Sequence, residues 1–245
     1  MVYYHSEALS DKIRINIMDT RKEKLFNLVM ENYIANAEPI GSRFLISAGG
    51  LKLSEATVRN ELRALEEEGF LTHPHTSAGR VPTEKGYHHY IDNLKADNLR
   101  ISKRDASFIS NAAKSDSDYE ISRKNLAKSL VELSNETVIL AFSLEKIYYT
   151  GLSNLFNKPE FKELNLVADI SSIFDHCEEC LEDFFDKVDE EPKYFIGKEH
   201  PFGPILSVLS ARFGGNGKSL IALLGPKRMD YKHNFVLLKK VLEII

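Results

Sequence analysis

Tryptophan is absent from the 245 residues, and cysteine occurs only twice. Two thiols cannot build a disulfide framework, so the fold has to stand on packing. No charged segment followed by a short apolar run opens the chain. Its longest apolar runs, such as residues 138–142 and 220–224, fall far short of the roughly 18 residues a membrane span needs. The expectation is a cytoplasmic protein with no membrane partner. An excess of positive charge is lacking too. Thirty-two Lys and Arg stand against 36 Asp and Glu, a formal net charge of -4, so any contact with nucleic acid must rest on local placement. No period of roughly 20 to 50 residues recurs, which excludes solenoids.

What is present is a change of pattern along the chain. Residues 1–19 are polar without sustained periodicity and are expected to form an N-terminal extension, or an upstream start with Met18 as initiator. Residues 20–95 read as short helices punctuated by turns. Phe26, Val29, Met30, Tyr33 and Ile34 share one face of a first helix that Pro39 stops. Ser42 is placed to cap a short second helix carrying Phe44, Leu45 and Ala48, with Gly49-Gly50 as its exit. Ser54 is the natural cap of a third helix, with Leu53 and Val58 set as a hydrophobic staple and Gly69 at its end.

At 100° per residue, Val58, Leu62 and Leu65 fall together as the buried stripe of that third helix. Ala56, Thr57, Asn60, Arg63 and Ala64 then face outward, flanked by Arg59. This face is small and polar, which suits entry into a DNA groove. Asn60, Thr57 and Arg63 are the candidates for reading base edges, and Ala56 and Ala64 permit close approach. The acidic run Glu66-Glu67-Glu68 lies at the far end, where it must point away from phosphates. Residues 70–73 and 80–82 form a strand pair around a Pro74-to-Gly79 turn, the wing of a winged helix. Thr83 caps a last helix holding Tyr87, Tyr90 and Ile91. Ser54, Arg59, Arg80 and Lys85 are expected to hold phosphates. His75 sits on the wing, where protonation at lower pH improves contact with phosphate.

Beyond residue 95 the pattern turns helical over residues 96–135, expected as linker helices, and mixed over residues 136–245, so the chain as a whole reads as α+β. Strands are predicted at 137–142, 146–149 and 194–196, helices within 164–188, a hairpin of 205–213 with 220–224, and a closing helix over 231–245. Gly214-Gly215-Asn216-Gly217-Lys218-Ser219 ends like a phosphate-binding loop. Arg212 stands where that motif needs glycine, and a strand follows instead of a helix, so a hairpin turn is the better reading. His176, Cys177 and Cys180 could supply metal or redox chemistry, but no second Cys pair completes a four-ligand zinc set, and a half-buried helix face is the preferred reading. No nucleophile stands with a placed base, so the chain is read as no enzyme.

Three motifs carry a resemblance. They are Glu38-Pro39-Ile40-Gly41-Ser42, the run from Leu53-Ser54-Glu55 through Arg59-Asn60-Glu61-Leu62, and the run from Pro74-His75-Thr76 through Gly79-Arg80-Val81-Pro82-Thr83 to Tyr87. With Gly151-Leu152-Ser153-Asn154-Leu155-Phe156 and Gly225-Pro226-Lys227-Arg228-Met229-Asp230-Tyr231 further on, the chain resembles the HrcA family, the heat-inducible transcription repressors of bacterial chaperone genes. The resemblance implies a winged helix-turn-helix joined to a GAF-like domain. It implies binding to double-stranded DNA at an inverted-repeat operator as a homodimer, no cofactor, and reliance on the GroE chaperonin. Ala141 to Lys146 run almost directly into the Thr150 motif, so the family's inserted dimerisation domain is missing here. Dimerisation then falls to the linker helices or the GAF-like surface. The rival readings are a protein-interaction adaptor using the winged-helix surface, and a metabolite-sensing regulator acting through the GAF-like half.

Overall fold

A computed structural model describes residues 18–49, 53–75, 78–94, 98–214 and 219–245. The expected extension over residues 1–17, Gly50 of the helix exit, Thr76 and Ser77 of the wing motif and residues 215–218 lie outside the described residues.

The first helix, α1 (Thr20–Asn36), starts where the Asp19 carboxylate accepts the Arg21 N–H, and it buries Leu25, Phe26, Val29 and Met30. It ends before Pro39 can act, because Ala37 turns left-handed at φ 58°. Next come α2 (Ser42–Gly49) and α3 (Glu55–Glu67). The antiparallel strands β1 (Leu71–Thr72) and β2 (Val81–Pro82) follow, then α4 (Glu84–Asp92). One expectation is corrected. Ser42 is the first residue of its helix and not its cap, because Ile40 just before it is pinned to Arg80 of the wing by two backbone hydrogen bonds of 2.8 and 2.9 Å.

The second half is a five-stranded antiparallel sheet. It contains β3 (Thr137–Ser143), β4 (Lys146–Thr150), β5 (Lys193–Ile196), β6 (Leu206–Phe213) and β7 (Ser219–Pro226), in the order β4-β3-β7-β6-β5. The helices α5 (Lys103–Lys114), α6 (Tyr119–Ser134) and α10 (Tyr231–Leu242) form a layer on one face. The short α7 (Leu152–Phe156), α8 (Leu164–Asp175) and α9 (Cys177–Phe185) cover the other.

Because both faces are covered, the central strands read as nearly unbroken apolar runs instead of alternating ones. Val138, Leu140, Leu209, Ile221 and Leu223 turn to the first layer, and Ile139, Ala141, Val208, Ala222 and Leu224 turn to the second. The first core does not stop at the sheet. It runs through Tyr231, Tyr87 and Tyr90 into Phe26, Val58 and Leu65 of the N-terminal helices, so the two halves share one apolar interior.

Two buried ionisable groups shape the pH response. His200 accepts the Phe202 N–H on Nδ1, its Nε2 donates to the Leu206 carbonyl, and burial lowers its pKa to about 4. Its neutral ring therefore contributes stability that is present above pH 6.5 and lost as pH falls through about 4. Glu136 behaves oppositely: burial, outweighing the Lys158 ammonium, pushes its carboxyl up to about 7, so the fold favours it protonated and gains as pH falls. Replacing the histidine isolates the first effect. In denaturant unfolding over a pH series, the parent should lose roughly 3 kcal/mol relative to His200→Gln between neutral and strongly acidic pH. Parallel curves for the two proteins would contradict this account.

Candidate nucleic-acid interface

The site is built on α3. Ser54 Oγ accepts the Thr57 N–H at 3.1 Å and lies 2.9 Å from Thr57 Oγ1, fixing the first turn. Such a cap contributes about 1 kcal/mol. Val58, Leu62 and Leu65 are buried, as the helical rotation requires, which leaves no freedom in what faces outward. Ala56, Arg59, Asn60 and Arg63 are exposed, and Thr57 and Ala64 are half-buried. None of this face is covered by the second half of the chain among the described residues.

The arginines on it are lightly held. Arg59 donates to Glu55 at 2.5 Å and, at 3.4 Å, to Ser42 Oγ; Arg63 donates to Glu67 at 2.9 Å. Their side chains are 63% and 74% exposed. Pairs of this kind, one helical turn apart in water, contribute only about 0.3–0.5 kcal/mol, so a phosphate or a base edge can displace the carboxylate. Arg43 on α2, 86% exposed and 3.5 Å from Glu55, joins the same surface. Sequence reasoning missed it; its place on the helix preceding the reading helix was the available signal.

Glu66, Glu67 and Glu68 are all engaged, so the acidic run at the end of α3 is largely compensated. Glu66 pairs with His73 and, at 3.1 Å, with Arg80; Glu67 holds Arg63; Glu68 holds Lys22 at 2.5 Å. The hydrogen bond from Lys22 to Glu68 raises the lysine pKa, so this neutralising charge persists at all ordinary pH values.

Two residues expected on phosphates are tied inward as well. Arg80 is half-buried against Glu66, and Lys85 donates to the Glu68 carbonyl at 2.7 Å while lying 4.3 Å from the centre of the Phe70 ring. Lys85 thus supplies a positive charge at the C-terminal end of α3, where unpaired carbonyls favour it. His75 is exposed on the wing, with its carbonyl accepting the Ala78 N–H.

The wing is locked to α2 by a close approach that only glycine allows. A Cβ on Gly79 would lie 2.5 Å from the Ile40 carbonyl carbon and 2.7 Å from its nitrogen, both backbone atoms that cannot yield cheaply. The result is a cleft of about 550 Å³ between Gly41-Ser42, Asn60, Arg63 and Gly79-Arg80. Behind it Thr83 caps α4, accepting the Gly86 N–H at 3.1 Å and donating to the Gly69 carbonyl at 2.7 Å.

The other candidate chemistries find little support. Ser219 of the phosphate-loop-like motif is a strand residue paired with Phe213, and its hydroxyl donates to the Phe142 carbonyl at 3.1 Å. Burial pushes the Cys177 thiol up to about 12 and raises that of Cys180, the reverse of what a reactive thiolate needs. No cluster of His, Cys, Asp and Glu fit to hold a metal occurs among the described residues. No helix among them is long and apolar enough to cross a membrane.

Comparison with known proteins places this geometry among others. The profile of the HrcA protein C-terminal domain matches residues 92–234, and that of the ribonuclease R winged-helix domain matches residues 32–89. The heat-inducible transcription repressor HrcA of Cutibacterium acnes is 47% identical over 78 residues, covering 32% of this chain and 23% of that protein. The protein of the same name from Thermoanaerobacter pseudethanolicus is 27% identical over 320 aligned positions, covering 88% of this chain and 92% of that one. Since 320 positions exceed the 245 residues here, that relative carries segments with no counterpart in this chain. Against six of the curated relatives it matches, the chain spans 22–37% of their length. A solved structure described as a hypothetical protein superposes with a TM-score of 0.76 over 92% of this chain and 97% of that one, at 16% identity, which establishes a shared fold.

The close approach of Gly79 yields a direct test. Gly79→Ala should destabilise the protein by roughly 1–3 kcal/mol, because a Cβ forces the wing away from Ile40. A thermal unfolding midpoint unchanged from the parent would contradict the packing described.

Proposed function

The chain belongs to the HrcA family, and from that premise we propose that it is a non-catalytic, sequence-specific DNA binder that represses heat-shock operons by occupying an inverted-repeat operator as a homodimer. The observation that carries the proposal is the outer face of α3. It is small and polar, open to solvent, bordered by the wing, and furnished with arginines held mainly by carboxylates one helical turn away.

In this reading Asn60, Thr57 and Arg63 contact base edges in the major groove, and Ala56 and Ala64 lie against the groove floor or thymine methyls. Ser54, Arg59, Arg80, Lys85 and His75 meet phosphates, with Arg80 exchanging Glu66 for DNA on binding. The chain divides into an extension (1–19), a winged helix-turn-helix (20–95) and a GAF-like domain (136–245), and the helices expected as linkers (96–135) pack on the sheet of that last domain. The cellular site is the cytoplasm. Phe108, Tyr119 and Ile121 turn large apolar surfaces outward on α5 and α6, which supports the linker helices as the dimer contact. Reliance on the GroE chaperonin, implied by the family, completes the reading.

Salt dependence tests the electrostatic part. If each subunit neutralises about three or four phosphates, log affinity against log salt should fall with a slope near -6, from roughly -0.9 per contact; a slope near zero contradicts the proposal. Arg63→Ala should cost roughly 1–3 kcal/mol on the operator and relax base preference, whereas Lys85→Ala should weaken all duplexes alike. Equal losses on operator and random DNA for both variants would remove the assigned roles.

A further inference from the structure

The segment joining β7 to α10, together with the first turn of α10, grips the winged helix at three points. Lys227 Nζ donates to Glu84 Oε1 at 2.5 Å, at the first turn of α4. Lys232 Nζ donates to Glu31 Oε1 of α1 at 2.6 Å and lies 5.5 Å from the centre of the Tyr90 ring. Between them Arg228 spreads its guanidinium over two elements. Nη1 donates to the Ile34 carbonyl at 3.2 Å, and Nε and Nη2 take the two oxygens of Glu160, the latter at 3.0 Å.

The chemistry of that middle contact is specific. Ile34 lies in the last turn of α1, where carbonyls lack helical partners and a positive charge is favoured. A planar fork satisfying a carboxylate on two nitrogens and a carbonyl on the third is something arginine provides and lysine does not. Glu160 is itself fixed: it sits in the short 3-10 turn Pro159–Phe161, and the preceding Lys158 pairs with the buried Glu136 at 3.1 Å. The Arg228 side chain is only 12% exposed. Arg228 thereby ties the sheet domain to the end of the helix on which α3 packs.

Resting on the DNA-binding reading above, we infer that Arg228 is a positioning residue for operator recognition. It holds the reading helix at one bearing relative to the second half of the chain, and so sets the separation of two α3 helices in a dimer. It touches no DNA. Its loss should leave each reading head intact while removing the preorganisation that lets two heads engage one operator together.

The full-length chain, with Cys177 and Cys180 replaced by alanine, carries spin labels at Thr72 on the wing and Asp169 on α8. The parent should give one narrow distance distribution, and Arg228→Gln a distribution at least about twice as broad. On DNA, the variant should lose roughly tenfold in affinity for a complete inverted repeat, keep the parent's affinity for a single half-site, and tolerate half-sites moved apart by single base pairs. Arg228→Lys should recover neither property, because one ammonium cannot replace the fork. Should Arg228→Gln fail to fold, Glu160→Gln, which removes the carboxylate that the fork grips and leaves Arg228 in place, must show the same broadening. An unbroadened distribution in the folded variant overturns the inference, as does a spacing preference identical to the parent's. If the parent itself ignores duplex DNA, the functional reading fails, and a positioning role for operator recognition fails with it. A broadened distribution would then show only that Arg228 ties the two halves together.

Discussion

Everything in this molecule depends on how Tyr231 is buried. It is fully enclosed, with its ring centroid 4.9 Å from that of Tyr194 on the sheet and 6.0 and 6.2 Å from those of Tyr87 and Tyr90 on α4. Tyr194 Oη donates to the Tyr231 carbonyl at 2.6 Å, and Tyr231 Oη donates to the Lys227 carbonyl. Aromatic groups of this size contribute more buried area than any aliphatic side chain, and edge-on contacts add to it. Leu94 and Ile101, between α4 and α5, pack against the same core. The four tyrosines make the two halves one body.

From that joint the rest follows by geometry. With α4 fixed, α1 and α3 are fixed through Phe26, Val58 and Leu65, and the outer face of α3 is set with them. The charges then distribute themselves to suit. The acidic end of α3 is neutralised by Lys22, Arg63 and Arg80, while Asn60, Arg59 and Arg63 remain at the surface. A protein with a formal net charge of -4 can approach a polyanion in this way, because the carboxylates at the end of α3 are engaged while cations remain at its surface.

Much of this was legible in the residues. Ser54 and Thr83 cap the helices they were expected to cap, and the stripe of Val58, Leu62 and Leu65 is buried as helical periodicity demands. The strands of the second half lie where β-branched and apolar runs pointed, because those runs had no alternative use. What was not legible depends on partners distant in the chain. Ser42 reads as a cap in the sequence because nothing local shows that Ile40 pairs with Arg80. The need for glycine at 79 exists only once that pairing forms. The strand order β4-β3-β7-β6-β5 and the short α7 had no local signature. The grip of Arg228 on Ile34 spans 194 residues, beyond any periodicity argument.

The central claim is that the exposed side of α3 enters the major groove twice on one duplex. Guanine N7 faces that groove, so its protection from methylation reports entry directly. On duplexes selected by the protein from a random pool, the account predicts two protected clusters about one helical turn apart, both lost with Asn60→Ala/Arg63→Ala while the variant stays folded. Failure to select any duplex, or protection that survives those substitutions, would contradict it.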